Sequence, residues 1–515
     1  MCQFDCDFMT DIKQAWGLEF PMAYELIAAV DLGSNSFRLQ VGRIVSNQIY
    51  PLDGLKESVR LAAGLAADKR LDAASQQRAL DALARFAERL RGFDADAVRA
   101  VATNTLRVAK NAPSFLEKAE SALGFPIEVI AGREEARLIY LGVAHTLARP
   151  EARQLVVDIG GGSTEFIIGQ NIDPVRLESL YMGCVSFSLR FFPDGKVDKR
   201  AFKEAELAAR RELQAIVHEF REAGWDEAIG SSGTAKALAD LLELNGWSDH
   251  GLTRDGLEKL RAALIDAGGA SRLKLEGLRP DRIPVLPGGL AIMSAVFKEF
   301  GLERMVFSEG ALRLGVLYDL LGRHHHDDLR ETTVNRFMQR YDVDRRQAAR
   351  VAHTAGALLS QLVPASRAAE HPDAQFMVWA ARLHEIGISV AHSSYHKHSA
   401  YILANADMPG FSRRDQGRLS RLVLAHRGKL ERAQPLRGEA LEWTLIFCLR
   451  IAVLLHRSRD DRPPPPYAAE FTRSGFQLTL GGEGLNVLPM TAAALEDEAQ
   501  QWAGIGGELR LRGSS

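Results

Sequence analysis

Asp31-Leu-Gly-Ser-Asn-Ser36 and Asp158-Ile-Gly-Gly-Gly-Ser-Thr-Glu165 are two glycine-rich turns built to one pattern. An apolar run precedes each, Leu26-Ile-Ala-Ala-Val30 and Leu155-Val-Val157, and reads as a buried strand. A second β-rich run follows each, Phe37-Arg-Leu-Gln-Val41 and Phe166-Ile-Ile168. The pattern predicts a repeated hairpin. Glycine lets backbone amides approach an anion closely, Ser and Thr add hydroxyl donors, and an Asp at a strand end can hold a divalent cation or a water. One such turn can equally join two strands without any ligand. Two of them, ending in Ser-Asn-Ser and Ser-Thr-Glu, point to a pair that grips a phosphate chain from both sides.

Composition bounds the class. The chain has 515 residues, 46% hydrophobic and 25% charged, enough for three or four ordinary globular domains. Its formal charge of −2 argues against a surface devoted to nucleic acid, so nucleic acid is not expected as the main partner. Cys2, Cys6, Cys184 and Cys448 are too few and too scattered for a disulfide framework or a zinc site, and free thiols are expected. No apolar run reaches the roughly 18 to 20 residues of a membrane-spanning helix. The first residues carry Asp5, Asp7, Asp11 and Glu19 where an export signal would be basic and then apolar. The expected location is the cytoplasm. Residues 1–21 read as a tail, either disordered or an over-extended start before Met22.

Along the chain, strands at about 22–139 give way to a long helical pattern over Ala73–Arg91 and then to the strand Val98-Arg-Ala-Val-Ala102. The same order recurs over 140–325: the second hairpin, a helical stretch from Lys199 to Ala223, and a strand ending at Gly230. This repeat predicts a duplicated α/β domain with a cleft between its halves. His324-His-His-Asp-Asp328 marks a boundary, and a mostly helical part follows over 326–460. Pro463-Pro-Pro-Pro466 reads as a stiff spacer before a small α+β part over 461–515, with a hairpin in Glu470–Leu480, a helix near 491–503 and a final strand.

Five stretches carry a resemblance: Ala29-Val-Asp-Leu-Gly-Ser-Asn-Ser-Phe-Arg38, Ala131-Gly-Arg-Glu-Glu-Ala-Arg137, Val157–Glu165, Met182-Gly-Cys-Val-Ser186 and Gly230-Ser-Ser-Gly-Thr234. In order and spacing the sequence from about Ala28 onward resembles the exopolyphosphatase and guanosine pentaphosphate phosphohydrolase family. That family is a branch of the actin, sugar-kinase and Hsp70 ATPase superfamily. The resemblance implies duplicated actin-like (ribonuclease H-like) domains, then an all-α HD-like domain and a small C-terminal domain. It also implies a divalent cation, magnesium or another, held by Asp158, the Gly160 carbonyl and Glu165.

Glu134 and Glu135 open a predicted helix, where the dipole alone favours acidic residues; by resemblance Glu135 is the catalytic carboxylate that activates water. Arg107 follows the strand ending at Ala102 and is, by resemblance, a phosphate ligand together with the turn Asp31, Gly33, Ser34, Asn35 and Ser36. Gly161, Gly162, Ser163 and Thr164 of the second turn join them. Gly233 and Thr234 precede a helix predicted to begin near Ala235, so their amides can form an anion site with Lys236 close by.

In the third part, Leu383-His-Glu-Ile-Gly387, His396-Lys-His398 and Ala425-His-Arg-Gly428 resemble an HD phosphohydrolase fold, with Glu385 where the metal-binding Asp would stand. No complete ligand set can be read there, and histidines satisfied within a helical bundle are expected. Residues 409–432 hold Arg413, Arg414, Arg418, Arg421, Arg427, Lys429 and Arg432 against Asp415 and Glu431. Such a cluster can be a solvated face or a track for a long polyanion. The expected activity is removal of terminal orthophosphate from inorganic polyphosphate. Hydrolysis of guanosine pentaphosphate is the alternative, and a nucleotide-sensing regulatory protein is a second. A homodimer is implied by the family alone.

Overall fold

The computed structural model describes residues 25–45, 48–147, 149, 151–324, 328–363, 372–431, 440–481 and 489–513. The expectations for residues 1–21, Cys2, Cys6 and Arg432, and the middle of the His324–Asp328 run, lie outside them. The chain forms two compact units, one spanning Tyr24–Asp328 and the other containing Leu329–Ser515.

The first unit holds two sheets of one topology. β1 (Leu26–Leu32), β2 (Phe37–Val45) and β3 (Gln48–Glu57) form an antiparallel meander, and β4 (Val98–Ala102) and β5 (Ile127–Val129) extend it on the β1 side in parallel. In the second sheet β6 (Gln154–Ile159), β7 (Thr164–Gln170) and β8 (Asp173–Leu180) repeat the meander, and β9 (Glu227–Ser231) and β11 (Arg304–Phe307) repeat the parallel strands. The two-residue β10 (Leu252–Thr253) pairs with the outer edge of β11. The first sheet runs β3-β2-β1-β4-β5, and the second repeats that order as β8-β7-β6-β9-β11 with β10 added at its edge, a duplicated, actin-like fold.

Register shows how the duplication was put to use. Asp31 on β1 faces Arg38 on β2, while Asp158 on β6 faces Glu165 on β7. Cross-strand partners share a sheet face, so equivalent positions carry an acid with a base in one half and two acids in the other.

Between the sheets lie two helices, Gly132–Ala144 and Leu312–His324, sharing a core with Ile27, Ala29 and Val101 of one sheet and Val156, Ile167 and Ile229 of the other. They cross through glycine. A Cβ on Gly315 would stand 1.7 Å from the Leu138 carbonyl oxygen, and one on Gly142 would stand 2.3 Å from that of Ala311. The expected boundary at 139/140 therefore falls inside a helix that binds the halves together.

The second unit packs helices around Trp379, Phe411 and Phe447. Its C-terminal strands β12 (Tyr467–Phe471), β13 (Gly475–Leu480) and β14 (Glu508–Gly513) form a three-stranded sheet, with the helix Pro489–Gly504 before β14. Phe476 of β13 stacks on Phe447 at 4.2 Å, and Leu478, Leu495 and Trp502 are buried in the same core. The segment 461–515 thus shares a core with the helices instead of forming a separate domain.

Arg413, Arg414 and Arg421 are exposed on the helix Arg413–Ala425, as a charged track requires. Arg418 is not. Its Nε donates to Glu442 Oε1 at 2.6 Å, it pairs with Asp373, and its guanidinium lies 4.7 Å from the Phe376 ring centre. It is a cross-tie between helices, because two buried carboxylates have first claim on its charge. We expect Arg418→Gln to cost on the order of 3 kcal/mol, by stranding Asp373 and Glu442. Arg421→Gln should stay within about 0.5 kcal/mol of the parent in the same denaturant titration.

His384 and His426 lie edge to face at 5.1 Å, and both are buried. Each turns Nδ1 to a backbone carbonyl, Ala381 and Val423 respectively. Burial pushes both imidazoles below their ordinary range. The expected satisfaction is incomplete, because His384 Nε2 is buried without a hydrogen-bond partner. Glu385 is bound by Arg459. Among the described residues, no group of three or more His, Cys, Asp or Glu is placed to hold a metal ion.

Candidate active site

The two glycine turns face each other. A Cβ on Gly161 would stand 2.9 Å from Ser34 Cβ and 3.2 Å from the Asn35 amide nitrogen, and one on Gly162 would meet Asn104 Oδ1 at 2.7 Å. Only glycine allows this approach. Beside the turns opens a cavity of about 310 Å³, whose wall includes Asp31, Gly33, Ser34, Glu135, Asp158, Gly160, Gly161, Ser163 and Gly233.

The other expected site residues stand behind this wall. Asn35 and Ser36 hold the first turn: the Asn35 carbonyl accepts the Arg60 amide at 2.8 Å, and the Ser36 carbonyl oxygen lies 2.9 Å from where a Gly33 Cβ would be. Thr164 was expected on phosphate with the second turn, and Thr234 at an anion site formed by helix-start amides; neither hydroxyl is free for phosphate. They donate to the Met182 carbonyl at 2.6 Å and the Ile159 carbonyl at 2.9 Å. Both are buried, and a buried carbonyl claims the nearest donor. The Gly160 carbonyl accepts the Cys184 amide at 2.9 Å. Arg107, expected on phosphate, donates through Nη1 to the Ile130 carbonyl at 2.8 Å and to Glu135 Oε2 at 3.2 Å. It holds the carboxylate.

Most of the wall's positive charge was not singled out from sequence. Arg38, Lys56, Lys236, Arg279, Arg282 and Arg313 all line the cavity. Lys56 pairs with Asp281 at 2.7 Å and Lys236 with Glu309 at 2.5 Å, all four side chains partly open to solvent. Arg282 is more constrained: its buried Nε has no hydrogen-bond partner, and Asp281 Oδ2 is 3.7 Å away. Burial lowers the pKa of Arg38, Arg282 and Arg313, which is the mark of cations lacking a full complement of anions. Ser232, also in the wall, has φ 66°, a left-handed conformation unusual for serine and common where function holds the backbone. The helix it opens, Ser232–Leu244, begins three residues earlier than the sequence predicted.

Asp31, Glu135 and Asp158 share the wall with these cations, and Glu165 lies behind it, across the strand pair from Asp158. Burial raises Asp31 to about 6 against the pull of Arg313 and Arg38. Burial raises Glu135 to about 7 despite Arg107, with Asp31 and Asp158 adding repulsion. Asp158 is raised by burial even as Ser232 and Ser231 bond to it. Glu165 is raised well above the ordinary carboxylate range by burial and then by Glu135 and Asp158, although Ser179 Oγ donates to its Oε1 at 2.8 Å.

Raised folded-state values have a definite sign. Each acid is neutral at no cost below its unfolded pKa, and the penalty of charging it in the fold is complete only above the raised value. In chelator, we therefore expect Glu165→Gln to melt a few degrees above the parent at pH 8 and close to it at pH 5. Equal shifts at both pH values in a thermal scan would contradict mutual repulsion among the four.

Among the described residues, no helix is long and apolar enough to cross a membrane. Residues 40–324 match the model of the Ppx/GppA phosphatase family, and residues 329–499 match Ppx/GppA phosphatase, domain III. A guanosine-5'-triphosphate,3'-diphosphate pyrophosphatase of Aeromonas hydrophila is 38% identical over 492 residues, covering 94% of this chain and 98% of its own. One from Pseudoalteromonas translucida is 38% identical over 485 residues, covering 94% and 97%. Among solved structures, an exopolyphosphatase from Cytophaga hutchinsonii is similar at TM-score 0.53 and 25% identity, over 58% of this chain and 98% of its own. The Aquifex aeolicus Ppx/GppA family member gives TM-score 0.50 and 27% identity, over 58% and 99%. Family models cover both units and the relatives align along nearly the whole length: the chain belongs to the Ppx/GppA phosphatase family.

Proposed function

We propose that this phosphohydrolase cleaves the terminal 5'-phosphoanhydride of guanosine-5'-triphosphate,3'-diphosphate, releasing orthophosphate. The observation that carries the reaction is Glu135: a buried carboxylate raised to about 7, held by Arg107 and opening on a cavity lined by six cationic side chains. A group poised near neutrality takes a proton from water efficiently. Water attacks the terminal phosphorus, a P–O bond forms as the bond to the bridging oxygen breaks, and Glu135 accepts the proton. Arg38, Arg279, Arg282 and Arg313 face the charge spread over the phosphoryl oxygens and the leaving group.

The substrate assignment rests on the relatives, which carry that nucleotide in their names and match 94% of the chain. This replaces the expectation of polyphosphate, whose support was the basic cluster that Arg418 has left. A polyphosphate end presents the same anhydride, and the likeness to the Cytophaga exopolyphosphatase keeps it as the comparison substrate.

A divalent cation fits the site. Asp31 Oδ1 is buried with no hydrogen-bond partner, and the acids around it raise one another. Asp158 and Glu165, which face each other across β6 and β7, are the pair that would hold magnesium, whose other ligands are water and phosphate oxygens. Bound there, it would neutralise the terminal phosphates. Orthophosphate release from the pentaphosphate should require magnesium and stop with chelator, and Asp158→Asn should raise the magnesium concentration needed. Unchanged magnesium dependence would place the cation elsewhere.

A further inference from the structure

Six charged side chains, absent from the cavity wall, form a network along the Glu135 helix: Arg99, Glu134, Arg137 and Asp319 are buried, and Glu128 and Arg323 are partly so. Arg137 bonds Glu134 at 2.9 and 2.8 Å and also bonds Asp319. Asp319 accepts from Arg99 Nη1 at 2.6 Å and from Arg323 Nε at 3.1 Å. Arg99 bonds Glu128 Oε2 at 3.2 and 3.0 Å. Three acids balance three arginines, and Asp319, 8% exposed, touches all three.

We propose that this network, centred on Asp319, is a positioning device for the Glu135–Arg107 pair. The elements it ties are those that deliver the pair: Arg99 is on β4, which leads to Arg107; Glu128 is on β5, which leads to the Ile130 carbonyl that Arg107 bonds; Glu134 and Arg137 flank Glu135.

The need for it follows from the glycine crossing. Gly142 and Gly315 bring the Glu135 helix and the Asp319 helix into backbone contact, so the rotation of one helix on the other sets where Glu135 points. Successive helix residues are about 100° apart, so Glu134 and Glu135 face different ways. A roll of roughly 20° would move a carboxylate ~6 Å from the axis by ~2 Å. Misplacement of about 1 Å can cost on the order of a hundredfold in rate. Ion pairs that strain on rotation resist this, in addition to the apolar packing of Leu138, Val143, Val316 and Leu320. The inference rests on Glu135 as the base.

The test is steady-state orthophosphate release from guanosine pentaphosphate with magnesium, with thermal unfolding in parallel. The parent's own turnover tests the underlying reading, separately from the variants. Asp319→Asn should lower kcat by about 10- to 100-fold with KM within about twofold of the parent, and Asp319→Glu should recover part of the loss. Arg137→Lys keeps the charge and loses the two-armed fork. It should lower kcat about tenfold with little change in melting temperature, and it carries the test if Asp319→Asn does not fold. Parent-level kcat in folded Arg137→Lys would overturn the proposal, as would a fall in melting temperature and a rise in KM with kcat unchanged.

Discussion

Glu135→Gln should fold as the parent does and turn over at least about a hundredfold more slowly. The amide keeps the size of the side chain and an oxygen to accept from Arg107 Nη1, so the 3.2 Å contact can persist. What it loses is the ability to take a proton from water. Binding should survive, because the cations facing the phosphates belong to other elements: Arg38 to β2, Arg279 and Arg282 to the segment before the helix Leu286–Phe300, Arg313 to the helix Leu312–His324. Removing the charge also relieves Glu165 of its largest electrostatic repulsion, so the variant should be no less stable than the parent. Near-parent kcat in the folded variant would remove Glu135 from the mechanism.

Gly315→Val should be the most damaging single change outside the site. Even the Cβ would lie 1.7 Å from the Leu138 carbonyl oxygen and 2.6 Å from its carbon, both backbone atoms that cannot swing aside. The helices must separate, opening the core between the two sheets and the ion network beside it. A loss above about 4 kcal/mol is expected, enough to abolish stable folding. Gly504→Ala is the control, since nothing lies within 4 Å of its new Cβ, and it should leave unfolding by denaturant unchanged. A Gly315→Val protein as stable as the parent would contradict the crossing.

The duplicated fold was legible because each hairpin repeats apolar strand, Asp-x-Gly turn and second strand, and two-residue alternation fixes which side chains share a face. Asp31, Ser34, Asp158 and Ser163 reach the cavity wall because strand ends and turns are local structure. Partners that lie far along the chain leave no such local mark. A hydroxyl in a glycine turn, such as that of Thr164, looks free in sequence; the Met182 carbonyl that occupies it, like the Ile159 carbonyl on the Thr234 hydroxyl, is visible only in three dimensions. Arg279, Arg282 and Arg313 sit in segments with no motif and reach the site through tertiary packing. Arg418 lies in a run of arginines indistinguishable by composition, and two buried acids set it apart. The Gly142–Gly315 crossing, which fixes the central helices, has no local signature either.

The substrate of the Glu135 site is decided by comparing kcat/KM for orthophosphate release from guanosine-5'-triphosphate,3'-diphosphate and from long-chain polyphosphate, at equal concentrations of chain ends with magnesium. The nucleotide should be turned over with the higher kcat/KM, and Glu135→Gln should lose that turnover. Polyphosphate as the better substrate, or nucleotide hydrolysis that persists in Glu135→Gln, would contradict this assignment.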